Sequence, residues 1–238
     1  MTRRVRIPLE RGAAISGLIN APRAPQAPWA VIVLAHGAGA GMDHAFLQRV
    51  ASGLAASGLA VVRFQFPYME HGSRRPDRPA VAQAAVRAAV EFAGRRFGKL
   101  PLFAGGKSYG GRMTSQAQAQ RPLPGVRGLF FLGFPLHPAG SPSTERAAHL
   151  ASIRIPMLFM QGTRDALGPA NTVAKVIGAL RLPARLHAVA QADHAFHVPA
   201  RSGLSDAAVV DAMLDVLAQW AKGLEKKKRP PADVRSPV

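Results

Sequence analysis

The sequence FAGGKSYGGRM, residues 103–113, decides the fold class and is the starting point for the rest of the chain. It follows a short apolar run at 100–104 that predicts a strand, and it leads into helix-forming residues at 113–120. Its centre has the pattern G-x-S-x-G around Ser108, which in a strand–turn–helix context is typical of a sharp turn that exposes a nucleophilic hydroxyl. We expect the small residues at 104–106 and 110–111 to remove collisions between strand and helix.

Two other interpretations of this stretch need to be weighed. A chain with 23 glycines can contain a glycine-rich strand–helix turn without any chemistry. The segment Gly106-Lys107-Ser108 also resembles the end of a phosphate-binding loop, but that motif requires a glycine five positions before Gly106. Position 101 is Pro101, so the phosphate loop is excluded, and the rest of the chain must decide between a nucleophile and an ordinary turn.

Composition favours a globular chain with one domain at 1–224 and a disordered basic tail at 225–238. Of its 238 residues 48% are hydrophobic and 18% are charged, and none of them is cysteine, which excludes disulfides and cysteine nucleophiles. No apolar run approaches the ~18 residues of a membrane span, so we expect no membrane association. The N-terminus begins basic, but Pro8 and Glu10 interrupt any apolar export signal, and we expect a cytoplasmic protein.

The chain carries a formal net charge of +18. Such a charge can indicate binding to nucleic acid or an anionic surface, or it can reflect an arginine-rich proteome together with the basic tail. Aromatic residues make up only 6% of the chain, and it has neither an RNA-binding aromatic motif nor a zinc finger. The second explanation is therefore favoured, and nucleic acid is not an expected partner.

Buried-type apolar runs alternate with amphipathic segments along the chain. This alternation predicts an α/β fold with a mostly parallel, doubly wound sheet and helices on both faces. Strands are predicted at 5–9 and 14–20, which form a hairpin, and at 30–35, 59–64, 100–104, 126–132, 156–160 and 184–189. Helices are predicted from Asp43 as a cap to Ser57, and at 79–97, 113–120, 144–152, 169–180 and 206–224. The single short helix between 133 and 155 leaves no room for a substantial cap domain.

Three side chains follow predicted strands at the edge where such sheets place their sites. Ser108 is the candidate nucleophile, His194 the candidate base, and Asp165 the candidate acid that orients the imidazole. Asp193 adjoins His194 in sequence and His197 is a competing base, but adjacent residues rarely orient each other's rings. The spacing His194-x-x-His197 also resembles a metal pair, yet no carboxylate stands at ligand spacing, so no metal is expected.

A glycine-rich segment, HGAGAG at 36–41, follows the apolar strand 30–35. A strand that runs into HG-x-G is typical of a loop whose backbone N–H groups face a developing oxyanion. The backbone N–H of Ala38 would supply one donor, and that of Tyr109, which follows the nucleophile, the other. An ordinary glycine-rich turn is the alternative.

The chain resembles the α/β-hydrolase superfamily over nearly its whole length, in particular a small branch typified by testis-expressed protein 30, with dienelactone-hydrolase-like proteins as relatives. The resemblance rests on HGAG at 36–39, RFQFPYME at 63–70, GGKSYGGRM at 105–113, GFPLHPAG at 133–140, QGTRD at 161–165 and DHAF at 193–196. It implies Ser108 as nucleophile, Asp165 as acid and His194 as base, with no cofactor. Dienelactone hydrolase itself uses a cysteine nucleophile, which makes its substrate doubtful here.

Two functions remain open at this point. The first is a serine hydrolase that acts on a small-molecule ester or related acyl bond, in a shallow cleft lined by His36, Met42, Phe66, Tyr68, Phe134 and Leu136. The second is an interaction module that binds a protein or nucleic acid through its basic surface, since the resembled branch includes relatives of a chromatin-complex subunit. The Ser/Asp/His set together with the glycine-built loop favours the first. The oligomeric state stays open.

Overall fold

The computed structural model describes residues 2–226, apart from the side chains of Arg11 and Lys226. The strands are β1 Thr2–Pro8, β2 Ala14–Asn20, β3 Ala30–Ala35, β4 Leu59–Phe64, β5 Leu102–Lys107, β6 Val126–Leu132, β7 Met157–Gly162 and β8 Ala184–Val189. The α-helices are α1 Ala45–Ala56, α2 Pro67–Glu70, α3 Pro79–Phe97, α4 Tyr109–Gln120, α5 Ala170–Ala179 and α6 Asp206–Lys226. Short 3-10 helices lie at Glu10–Gly12, Glu145–Ser152 and Ala200–Ser202.

All of these strands form one sheet in the order β1-β2-β4-β3-β5-β6-β7-β8. The β1–β2 hairpin and the β2–β4 pair are antiparallel, and every pair from β4 to β8 is parallel. Strand β5 is central, with β3 on one side and β6 on the other. The predicted mostly parallel, doubly wound sheet is confirmed, and the carboxyl ends of β3, β5, β6, β7 and β8 all meet at one edge.

The sheet separates two hydrophobic cores. On one face, apolar side chains of α3, α4 and α5 pack against the strands. On the other face, α1 and α6 cover the central strands. Because both faces are covered, the central strands read as continuous apolar runs rather than as alternating ones, and this is why they could be recognised in the sequence.

Several boundaries differ from the predictions; β5 spans Leu102–Lys107 rather than 100–104, and α4 begins at Tyr109 rather than at 113. Helix α1 is capped by His44 and not by Asp43, because the His44 ring accepts the Phe46 N–H at 3.2 Å. Strand β1 begins at Thr2 and ends at Pro8, since seven residues pair with β2 in register. Helix α6 continues to Lys226, two residues beyond its predicted end. The rest of the predicted tail, 227–238, lies outside the described residues.

The connection between β6 and β7 carries only the short helix Glu145–Ser152. Lipases of this architecture commonly have a long insertion over the site at this position, but here the connection is too short to contain one. The expectation that the fold has no substantial cap domain is confirmed for the described part of the chain.

The glycines around the turn after β5 are required by close backbone approach. A Cβ atom at Gly105 would lie 2.0 Å from the carbonyl oxygen of Phe130 in β6. One at Gly106 would lie 2.4 Å from the carbonyl oxygen of Ala35 in β3, and one at Gly110 would lie 2.5 Å from that of His36. The turn is therefore pressed between both neighbouring strands, as the small residues in the sequence predicted.

Replacing Gly105 with alanine should destabilise the protein by more than about 3 kcal/mol, because rigid backbone of β6 blocks the new methyl group. The matched control is Gly94→Ala in α3, where a Cβ meets nothing within 4 Å. That change should raise the free energy of unfolding by about 0.5–1 kcal/mol, since alanine is the better helix former. Urea denaturation followed by circular dichroism measures both; equal effects of the two changes would contradict the close approach.

Candidate active site

Ser108 stands at the junction of β5 and α4 with backbone angles of φ 50° and ψ −116°. A non-glycine residue in this region costs about 1–3 kcal/mol and persists only where its surroundings impose the conformation. The Ser108 N–H donates to the Leu132 carbonyl at 3.1 Å, and the Ser108 carbonyl accepts the Arg112 N–H at 3.1 Å. These bonds fix the residue at the tip of a sharp turn, with its side chain partly exposed.

The structure brings the three predicted side chains together in one hydrogen-bonded chain. The Ser108 Oγ lies 2.9 Å from the His194 Nε2, and the His194 Nδ1 lies 2.8 Å from the Asp165 Oδ2. The Asp165 carboxylate only accepts, so Nδ1 carries the proton and the Nε2 lone pair faces the serine hydroxyl. Asp165 is 0% exposed, whereas the His194 side chain is 26% exposed, so the acid is shielded and the base can be reached from solvent.

The competing residues lie elsewhere. The Asp193 Oδ1 accepts the N–H groups of Ala195 at 2.8 Å and His197 at 2.9 Å, which closes the loop around His194. The His197 side chain is 63% exposed and pairs with Asp206 at 2.9 Å. A hydrogen bond to Asp206 raises the pKa of His197. Of the alternatives left open by the sequence, neither Asp193 nor His197 joins the chain that contains Ser108.

Gln161, at the end of β7, organises the acid and had no role in the sequence-based prediction. Its Nε2 donates to the Asp165 Oδ2 at 2.8 Å and to the Gly168 carbonyl at 2.6 Å. Its Oε1 accepts the Phe134 N–H at 2.8 Å. The Leu167 N–H completes the environment of Asp165 with a 2.8 Å bond to Oδ1. The only sequence signal for this role was the position of Gln161 within QGTRD.

The predicted oxyanion loop, residues 36–41, lies against the nucleophile. A Cβ built on Gly37 would be 3.9 Å from the Ser108 Cβ. The Ala38 N–H has no acceptor within residues 2–226, and Tyr109 is the first residue of α4, where a helix leaves its N–H groups unpaired. Both candidate donors are thus free, and their use toward an oxyanion stays a prediction.

The segment 63–68 comprises the last two residues of β4 and the four residues that follow. It supports residues 36–42, the oxyanion loop and the next residue, through hydrogen bonds. Four hydrogen bonds join the two segments: Arg63 Nη1 to the Met42 carbonyl at 2.7 Å, the Met42 N–H to Gln65 Oε1 at 2.8 Å, the Gly39 N–H to the Tyr68 hydroxyl at 2.9 Å, and the Phe66 N–H to His36 Nε2 at 3.1 Å. Arg63 is itself buried and also donates to Asn20 at 3.0 Å. The motif RFQFPYME therefore positions the loop, a role that the sequence did not disclose.

The six residues predicted to contact substrate are all buried in this structure. None of them is more than 3% exposed: His36, Met42, Phe66, Tyr68, Phe134 and Leu136. The aromatic members pack on one another and on Tyr109, with the Phe66 and Tyr109 ring centroids 5.3 Å apart. They pack beneath the oxyanion loop and next to β6, and substrate contact by all six residues stays a prediction.

For His36 the structure shows a supporting role that the sequence did not predict. Its Nδ1–H donates to the Gly37 carbonyl at 2.7 Å, and its Nε2 accepts the Phe66 N–H, so no polar atom is left for a substrate. Burial lowers the pKa of His36 to about 4, which keeps the ring neutral and able to make both bonds. His36 is a positioning residue of the oxyanion loop.

Two further features were searched for in residues 2–226. No group of three or more His, Asp and Glu side chains there is arranged to hold a metal ion. No helix in that range has the length and apolar character needed to cross a membrane.

A mostly parallel sheet with a serine on a sharp turn after a central strand, and with an acid and a histidine after later strands, defines the class of α/β hydrolases. Residues 28–222 match the family described as alpha/beta hydrolase domain, and the chain belongs to that family. Membership of the branch typified by testis-expressed protein 30 stays a prediction.

Solved structures of similar fold include three that this chain aligns with almost completely. The esterase domain from a Rhodothermus marinus protein has a TM-score of 0.70 at 18% identity and covers 94% of this chain and 98% of its own. A dienelactone hydrolase from Anabaena variabilis has a TM-score of 0.73 at 18% identity, and the alignment covers 94% of this chain and 97% of that protein. An α/β serine hydrolase without lid from Xanthomonas campestris has a TM-score of 0.68 at 18% identity, and the alignment covers 97% of this chain and 96% of that protein. At these identities the likeness shows the fold alone.

The buried histidines predict a loss of stability in acid. Burial lowers the pKa of His36 and of His149 to about 4, below the value near 6.5 of an unfolded histidine. The unfolded chain therefore binds more protons between these values, and stability falls as pH drops from about 6.5 toward 4. Between pH 7 and pH 5, His36 should account for about 1–2 kcal/mol of that loss.

Urea unfolding at several pH values measures this effect in the wild type, His36→Asn and His149→Asn. Each variant should lose less stability on acidification than the wild type, even where it is less stable at pH 7. Parallel curves for wild type and His36→Asn would show that His36 is not the group that titrates.

Proposed function

We propose that this chain is a serine hydrolase that cleaves a carboxylic ester or a related acyl bond through an acyl-enzyme. The observation that supports this most is the continuous chain from Ser108 Oγ to His194 Nε2 and from His194 Nδ1 to Asp165. A serine hydroxyl is a poor nucleophile at neutral pH, and a base within hydrogen-bond reach with its own orienting carboxylate meets that need.

In the first half of the reaction, Ser108 Oγ attacks the acyl carbon while His194 Nε2 takes the hydroxyl proton. Asp165 stabilises the imidazolium that forms and keeps its ring oriented. The N–H groups of Ala38 and Tyr109 donate to the oxyanion of the tetrahedral intermediate. When the intermediate collapses, His194 gives its proton to the leaving oxygen, and the acyl group stays on Ser108.

In the second half, a water molecule takes the place of the leaving group. His194 removes a proton from the water as it attacks the acyl carbon, and a second tetrahedral intermediate forms on the same donors. Collapse returns the proton to Ser108 Oγ and releases the carboxylic acid. The substrate is a small molecule, because the short β6–β7 connection offers no lid to enclose a large apolar group. A cytoplasmic location belongs to the same proposal.

An interaction module is the second candidate. Its support is the net charge of +18 and the exposed arginines of edge strand β1, Arg3 and Arg4. Such a surface would attract a protein or nucleic-acid partner in a salt-dependent way. A pure scaffold, however, does not require a strained serine in line with a histidine and a buried carboxylate, so the hydrolase is favoured.

Ser108→Ala should lower turnover of an activated ester such as p-nitrophenyl acetate by about 10⁴–10⁶-fold and abolish labelling by a fluorophosphonate, with an unchanged melting temperature. The matched control is Ser115→Ala on the same helix. Ser115 also contacts a histidine, His149 Nε2 at 2.8 Å, but it is buried within α4 and away from the turn. This variant should keep its labelling, and a wild type that neither labels nor turns over esters would refute the hydrolase.

Asp165→Asn should lower kcat by about 10⁴-fold, because an amide can hold the imidazole in the wrong tautomer and cannot stabilise its charged form. Asp193→Asn should cost less than about tenfold, since the amide oxygen can still accept the N–H groups of Ala195 and His197. Steady-state kinetics of the two variants on the same ester test the assignment. The reverse ranking would make Asp193 the acid.

A further inference from the structure

Lys107 precedes the nucleophile and is not used in the proposed mechanism. It is the last residue of β5, and its side chain runs toward the loop that carries the base. The Nζ atom donates to the His194 carbonyl oxygen at 2.5 Å and lies 5.3 Å from the centre of the Phe196 ring. One side chain thus connects the strand that carries Ser108 with the loop 193–196 that carries His194.

The ammonium group of Lys107 lies near the imidazole ring of His194 as well as near its backbone carbonyl. A Cβ built on Gly133 would be 3.1 Å from the Lys107 Nζ and 3.4 Å from both Nδ1 and Cε1 of His194. The ammonium group and the imidazole ring therefore both lie next to Gly133, the residue that follows β6. The charged groups that act on Nζ are Asp165 and Asp193, and both favour the ammonium form.

The charge of Lys107 is unfavourable for folding. Desolvation lowers the pKa of Lys107 to about 8, even though Asp165 and Asp193 act in the opposite direction. In the described chain, Nζ makes one hydrogen bond and one ring contact, which only partly replace its hydration. Below pH 8 the ammonium form predominates, so the protein carries a poorly solvated charge at the site at neutral pH. An apolar side chain of equal length would be the more stable choice.

We infer that Lys107 is a positioning residue for His194: its bond to the His194 carbonyl holds the base loop to the nucleophile strand and so keeps the imidazole in line with Ser108. This inference rests on the proposed hydrolase function. The imidazole then stays within hydrogen-bond reach of Ser108 during the reaction. Since Lys107 acts through His194 in this proposal, its loss should lower kcat and leave KM nearly unchanged.

The absence of cysteine in the chain permits a direct test. The thiol of Lys107→Cys is unique, and alkylation of the unfolded variant with 2-bromoethylamine rebuilds a lysine side chain with sulfur in place of one methylene. Alkylation with 1-iodopropane gives a side chain of the same length that ends in a methyl group. Wild type taken through the same unfolding and refolding controls for recovery, and Lys107→Met serves as a variant that needs no chemistry.

The aminoethyl form should regain most of the wild-type kcat, while the propyl form and Lys107→Met should lose about 10- to 100-fold. Their resistance to urea should match or exceed that of the wild type, which a merely structural lysine would not allow.

The two levels of the proposal fail in different ways. Equal kcat for the aminoethyl and propyl forms, with an active wild type, would show that Lys107 only fills space. Loss of urea resistance in proportion to loss of kcat in Lys107→Met would likewise overturn the positioning role. An untreated wild type without ester turnover or fluorophosphonate labelling would instead overturn the hydrolase itself.

Discussion

The strained backbone of Ser108 is the constraint on which the rest of the site depends. Ser108 keeps a φ of 50° because β3 and β6 pack against the turn from both sides. This close packing requires glycine at positions 105 and 106. The same packing puts the start of α4 beneath the nucleophile and leaves the first N–H groups of that helix free. The strained backbone of Ser108, the close packing of its glycines and the free N–H groups of α4 therefore all result from the sharp turn between β5 and α4.

The two halves of the site are held by separate supports. On the side of β3 and β4, the segment 63–68 fixes the loop 36–42 through a buried arginine, a glutamine, a tyrosine hydroxyl and a neutral histidine. On the side of β6 to β8, Gln161 orients Asp165, and Lys107 reaches the backbone of His194. Most of these supporting groups are polar and buried, so each needs its partners in place, and together they keep the reacting groups from moving relative to one another.

Much of the fold and the three principal residues could be predicted because their signals are local. Apolar runs such as Ala30–Ala35 mark strands buried on both faces, and glycines around Ser108 mark a turn with no space for side chains. The supports could not be predicted. In the sequence Gln161 and Lys107 look like ordinary polar residues, and the hydrogen bonds of His36 to Gly37 and Phe66 have no local signal, because the partner of a polar side chain depends on which loops fold next to it.

The sequence by itself determined the alternation of strands and helices, the sharp turn, and the candidates Ser108 and His194, since each depends on residue type and on position after a strand. Only the tertiary structure decided which acid faces His194, because Asp165 and Asp193 differ in direction and not in chemistry. It also decided that Lys107 lies beneath the base loop. Distances between segments far apart in the chain arise from the packing of the whole sheet, and no local pattern encodes them.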